Sequence, residues 1–214
     1  MTDPADMPPV ETEVMLWGQD EALAQWLREH DIKARAFSTG ELKTPQVILV
    51  GSKPAAGGQS AFSELAQCME KGSVVIFLCP EVFGKSGIPA DWPALAQMGA
   101  MVDLGHPVWP KDDWAKKHPI FAGIPCGQIM DHRFYRDVIP DLAWVSEQTP
   151  AEVVAGANNT SRDYASGLLV CVVDLGAGRF ILNTLRIYEN LGRNPVAERL
   201  LRNMLRYAAT DLSK

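Results

Sequence analysis

The chain has 214 residues, enough for one large domain or one domain with an appendage, and a core of that size can stabilise itself without disulfides or metals. Apolar residues make up 47% and charged residues 21%, an ordinary globular balance. A formal net charge of −6 supplies no concentrated positive field for nucleic acid, and no apolar run approaches the ~20 residues of a membrane span.

Residues 1–12 read as a disordered lead-in, acidic and rich in proline, and residues 13–210 as one α/β domain. The start has no basic n-region and no apolar h-region, so as written the chain is expected in the cytoplasm, or outside the cell if a leader has been removed. "VMLWG" (14–18) is an apolar run closed by glycine, a first strand. Asp20 is placed to cap the next helix, whose Leu23, Trp26 and Leu27 share one face. "IKARAF" (32–37) alternates like an edge or half-buried strand, whereas "QVILVG" (46–51) is continuous, as in a strand covered on both faces. A glycine-rich turn then opens a helix carrying Phe62, Leu65, Ala66 and Met69, and "GSVVIFLCP" (72–80) is the next buried strand. This order, with crossovers of that length, predicts a mainly parallel sheet.

Residues 84–100 are richer in glycine and proline, with a short helix around 91–98, and "AMVDLG" (100–105) reads as a further strand. From 106 to 150 the pattern dissolves into loops containing six prolines, a functional or packing insertion rather than a linker. "GLLVCVVDLGAGRFILNTLRI" (167–187) predicts a hairpin about its Asp-Leu-Gly-Ala-Gly turn. Asn194 and Pro195 then suit the N-cap and first position of a last helix, along which Ala197, Leu200, Leu201, Met204, Leu205 and Ala208 recur at helical spacing. Its arginines, Arg199, Arg202 and Arg206, read as a solvated face.

Chemical motifs are sparse. Cys68, Cys79, Cys126 and Cys171 form no Cys-x-x-Cys pair, and the apolar surroundings of three of them favour a reducing compartment. His106, His118 and His132 lack metal-ligand spacing, and His118, before Pro119, reads as the start of a helical turn, so no metal is expected. "GSKPAAGG" (51–58) matches neither glycine-rich phosphate motif, and no cofactor is expected. Trp92, Trp109, Trp114 and Trp144 fall in loop-rich stretches, where exposed rings would suit sugar stacking or a protein interface and buried rings would pin the loops.

"HPIFAGIP" (118–125), "FYRDVIPDLAW" (134–144) and "LGAGRFILNTLRIYENLGRNPVAERLLRNMLRYAA" (175–209) together resemble the class I glutamine amidotransferase-like domains attached to bacterial glycoside hydrolases, akin to the β-galactosidase trimerisation domain. The resemblance implies a flavodoxin-like three-layer α/β/α sandwich, in agreement with the strand and helix order. It also implies a non-catalytic role in assembly, with another copy of the chain or a carbohydrate-active enzyme as partner. The chain is too short to hold a hydrolase barrel as well.

Cys79 sits where catalytic members of that superfold place a nucleophile, yet the surroundings differ. Pro80 follows it and has no N–H, which removes an oxyanion donor and pushes Cys79 toward extended geometry. The late His-x-Glu pair of the amidotransferases corresponds to "TLRIYENLG", which has Arg186 and Glu189 but no histidine. Only His106 or His132 could rescue catalysis by Cys79 as a small hydrolase or amidase. The third possibility is a sugar-like ligand at the carboxyl ends of the strands, where Gln19, Ser52, Glu81, His106 and Arg186 are expected, with Asp131, Arg133, Tyr135 and Arg136 in a nearby loop. Against that stands a plainer role, in which Arg133, Arg136 and Arg186 pair with Asp131, Asp137 and Glu189 to pin loops.

Overall fold

The computed structural model describes residues 7–38, 44–53, 55, 59–79, 98–161 and 164–212. The expected helix around 91–98, Pro80, Glu81 and Trp92 lie outside the described residues or at their margin.

The first half of the sheet follows the expected order. β1 (Val14–Trp17) lies between β2 (Ala34–Ala36) and β3 (Val47–Val50), and β4 (Val74–Phe77) extends β3, with every pairing parallel. Every residue of β1, β3 and β4 is buried, as continuous apolar strands covered on both faces must be. Helix α1 (Glu21–Glu29) follows β1 and turns Leu23, Trp26 and Leu27 inward. Helix α2 (Gln59–Glu70) packs on β4 and on two later strands.

The chain then leaves this parallel unit for about half its length. It lays down β5 (Gly99–Asp103), β6 (Asp112–Ala115), β7 (Gln128–Ile129), β8 (Leu142–Ser146), β9 (Glu152–Asn159) and β10 (Ala165–Leu175) before β11 (Gly178–Asn183) returns beside β4. β11 is the seam: it pairs parallel with β4, Val74 opposite Arg179 through Phe77 opposite Leu182, and antiparallel with β10. The main path runs β2-β1-β3-β4-β11-β10-β9-β6-β7, and β8 joins β10 with β5 on its outer side. The described sheet is therefore mixed rather than mainly parallel. The β10–β11 hairpin reverses the direction, and every strand attached through β10 continues antiparallel.

Two expectations are corrected here. Residues 106–150 are not simply loops: they contain β6, β7, β8 and the one-turn helix α3 (His132–Tyr135). "DDWA" has no β-branched residue and becomes a strand because β9 supplies its ladder, tertiary context overriding propensity. The last helix, α4 (Pro195–Asp211), has Asn194 as its N-cap, accepting from the Val196 amide at 2.8 Å. Its arginine face is not solvated as a whole. Arg199 is buried, and Arg202 reaches Glu198 at 3.2 Å and the His30 carbonyl at 3.0 Å, fastening α4 to the end of α1. At the chain's start, Val10 is buried and the Pro8 carbonyl accepts from Arg202 at 3.4 Å.

Candidate functional site

Parallel strands deliver their carboxyl ends to one edge. Asp20, just beyond β1, is buried and fully engaged. Oδ1 accepts from the Leu23 amide at 3.1 Å and the Tyr188 hydroxyl at 2.9 Å, while Oδ2 accepts from both the amide and the hydroxyl of Ser52 at 3.0 Å. Burial would raise its pKa, but these bonds outweigh burial and hold the carboxyl below its ordinary value. A β-carbon on Gly51 would lie 2.5 Å from Oδ2, so the approach of strand β3 to Asp20 requires glycine. With every acceptor direction in use, Asp20 ties β1, β3 and the segment after β11 together. Ser52, expected as a ligand contact, is part of that tie.

Cys79 lies just past β4 and is 2% exposed. The strand ladder continues up to it: the Leu78 amide donates to the Val50 carbonyl at 2.9 Å, and the Asn183 side-chain amide donates to the Leu78 carbonyl at 2.8 Å. The described non-glycine residues with positive φ are Asp31 and Tyr164, so Cys79 does not carry a left-handed kink. None of the chain's four imidazoles hydrogen-bonds its sulfur. His30 bonds the Trp26 carbonyl, His118 bonds Glu152, His106 is held by its own turn, and His132 lies beside Asp113. Tyr188 is one titratable group that feels Cys79. Its phenol is pushed up by burial first, and also by the Asp20 carboxylate and the Cys79 thiol.

Beyond the end of β11 the loops line a half-open cavity of about 310 Å³ with many charged residues. It brings together His106, His132, Arg136 and Arg186 from the expected set, and adds Lys111, Asp113 and Asp141. Lys111 and Asp113 form an ion pair with side chains only 7% and 8% exposed. Burial, only partly offset by Lys111, raises the pKa of Asp113. Lys111 takes Oδ1 alone; among the described residues nothing bonds Oδ2. The His106 Nδ1 accepts from the Val108 and Trp109 amides, each at 3.2 Å, which leaves the proton on Nε2 as a donor. Arg186 sets Nε and Nη2 on the Ile139 carbonyl at 3.1 and 2.6 Å. Asp141 folds over Gly105, where a β-carbon would stand 2.5 Å from its carboxyl carbon.

The remaining expected residues do not join this set. Gln19 is exposed on a separate concavity between α1 and β2. Asp131 caps α3 through the Arg133 amide at 2.8 Å, and Arg133 is exposed. Tyr135 is fully buried, and its hydroxyl donates to the Pro125 carbonyl. The loop-pinning role holds in part: Arg136 stands 3.7 Å from Asp137, but Arg186 serves a backbone carbonyl rather than Glu189. Trp109 is half exposed, Trp114 is partly covered, and Trp144 is buried. Trp114 and Trp144 line a groove of about 370 Å³ whose Ser146 hydroxyl is already bonded to the Met98 and Gln148 carbonyls. Among the described residues no group of three or more metal-ligating side chains is assembled, and no described helix is long and apolar enough to cross a membrane.

A second polar network, which sequence patterns did not reveal, lies around Glu152 at the start of β9. Glu152 accepts from the Tyr207 hydroxyl at 2.6 Å, contacts His118 Nε2 at 2.8 Å and receives Arg179 at 3.1 Å. Arg179 also reaches Asp174 and Asp211. His118 Nδ1 accepts from the Ile120 amide, as expected for a residue that starts a helical turn. This network joins β9, β11 and the end of α4.

No family model matches the chain, and no curated protein does. Solved structures do match in shape. A ThuA-like protein from Bacteroides uniformis is 13% identical, with each chain covered completely and a TM-score of 0.54. A cytoplasmic protein from Salmonella typhimurium is 12% identical over 92% of this chain and 98% of its own, with a TM-score of 0.52. A catalytic mutant of a GH42 β-galactosidase from G. stearothermophilus is 14% identical over 97% of this chain, with a TM-score of 0.52. This chain spans 30% of that β-galactosidase. At such identities the likeness is one of fold. It agrees with the amidotransferase-like domain that the sequence motifs resemble.

Proposed function

We propose that this chain is a non-catalytic amidotransferase-like domain that works by binding, in an assembly with another copy of itself or with a carbohydrate-processing protein. Its parallel half, ordered β2-β1-β3-β4-β11, is read as a flavodoxin-like core carrying an antiparallel extension. The observation that carries this reading is the state of Cys79. It is buried at the end of an unbroken strand, followed in sequence by a proline, and hydrogen-bonded by none of the histidines. A thiol without a histidine partner and without the following amide lacks the usual activating imidazole and the oxyanion donor that acyl transfer needs. Binding is supported by the polar cavity beside β11, and an assembly role by the occurrence of the same fold inside a GH42 β-galactosidase chain.

The test is a hydrolysis assay on wild type and Cys79→Ala, using p-nitrophenyl acetate and glutamine as probes. Equal background rates in the two proteins are expected. Turnover in the wild type that disappears in Cys79→Ala contradicts the reading.

A further inference from the structure

The cavity beyond β11 is chemically specific. Two carboxylates face it, and neither Asp141 nor the Asp113 Oδ2 has a bonding partner among the described residues. The Asp113 side chain is only 8% exposed and bonds Lys111 through Oδ1, so its other oxygen is available to an incoming donor. The donors are equally defined. His106 presents Nε2–H because its Nδ1 is already accepting from the backbone. Arg186, fixed by two bonds to Ile139, lines the cavity with its third nitrogen unengaged, and Arg136 stands at the rim.

The charges decide between ligand classes. The innermost cation, Lys111, is neutralised by Asp113. An anionic ligand would meet the Asp141 and Asp113 carboxylates, and a cationic one would meet Arg136 and Arg186. A hydroxyl both donates and accepts, so adjacent hydroxyls satisfy a carboxylate oxygen and an N–H donor together. The volume, about 310 Å³, lies at the small end of the range for ligand sites.

From this we infer that the cavity binds a neutral polyhydroxylated molecule of monosaccharide size, with Asp113 and Asp141 accepting from its hydroxyls and His106 and Arg186 donating to them. The inference rests on the binding-domain reading and names the ligand class for it. Lys111, Asp113 and Asp141 thereby join the site.

The experiment is calorimetric titration of the full chain with D-galactose, D-mannose and D-glucose, beside D-glucuronate and inorganic phosphate. His106→Asn is the decisive variant, because an asparagine oxygen replaces Nδ1 in the turn while the Nε2 donor is lost. Asp113→Asn is the second, with its fold checked by circular dichroism. At least one neutral sugar is expected to bind with a Kd of roughly millimolar order. His106→Asn should weaken it about five- to tenfold, the effect of one lost hydrogen bond. Binding of only glucuronate or phosphate overturns the neutral class and leaves the binding-domain reading standing. No heat with any probe, or sugar binding indifferent to both variants, overturns the inference. Hydrolysis lost in Cys79→Ala would instead remove the reading beneath it.

Discussion

The parallel and antiparallel halves of this sheet use the same hydrogen bonds but are written differently in the chain. β1, β3 and β4 are uninterrupted apolar runs because both of their faces are covered. β6 and β7 hold aspartate, glutamine and tryptophan, and both residues of β7 are exposed at the sheet's edge. A strand buried on two sides is specified by its own composition. A strand near an edge is specified by its neighbour. The half that is hardest to read contributes most of the polar cavity, because its positions are freer to carry charge.

The sharpest way to break this comparison is to weaken each half in turn. Phe77→Ala, in the fully buried β4, is expected to cost about 3–5 kcal/mol in denaturant unfolding. A loss near that of an exposed position would mean that the parallel half does not hold the core. Asp20→Ala should cost about 2–3 kcal/mol, since it removes a helix cap and strands Ser52 and Tyr188. Asp20→Asn, which keeps part of the cap, should cost less.

The buried pair in the antiparallel half should behave in the opposite sense. Replacing both members, Lys111→Met with Asp113→Leu, is expected to leave stability unchanged or raise it by about 1–2 kcal/mol while abolishing sugar binding. Asp113→Leu alone, which leaves a buried lysine uncompensated, should destabilise. A double variant as weak as the single one would show that the pair serves the fold rather than the cavity.

Acid titration sharpens the contrast further. Burial acts to raise the Glu152 pKa, but bonds from Tyr207 and His118 and the charge of Arg179 outweigh it, so the folded value is depressed. Its contribution is therefore complete above the unfolded pKa of about 4.3 and is lost as pH falls through the folded value. Asp113, whose folded pKa is raised, has the reverse sign: its ionisation weakens the fold as pH rises through the interval above the unfolded value of about 3.9. Melting curves of Glu152→Gln should lose the first slope, and those of Asp113→Asn the second. The smallest effect is expected at Ile129→Ala in β7, 57% exposed, within about 0.5 kcal/mol of wild type.

Much of the parallel half was legible in particular residues. Asp20 before an apolar face marked a cap, Asn194-Pro195 marked the last helix, and "DLGAG" marked the hairpin that Gly176 turns at φ 63°. The candidate cavity was legible only in outline. His106, His132, Arg136 and Arg186 do line one cavity, since loops at a carboxyl edge must converge. Lys111 and Asp113 were missed because they fall in the stretch read as loops. Only the pairing of β6 with β9 turns Asp113 inward and leaves Asp112 exposed. Tyr135 fails as a site residue for the converse reason: an aromatic in a polar loop became the anchor under that loop. Asn183, which holds the Leu78 carbonyl, gave no signal inside an apolar strand.

The most direct measurement is the order in which the cysteines react with iodoacetamide at neutral pH, followed by mass spectrometry. Cys126 is the partly exposed thiol and should be labelled first. Burial pushes the Cys68 and Cys171 thiols up to about 11 and about 12, and these two should resist. Cys79, buried and without a bonded imidazole, is expected to label with them, only as the protein unfolds. Rapid, stoichiometric labelling of Cys79 ahead of Cys126 in the folded protein would contradict a domain that acts by binding alone.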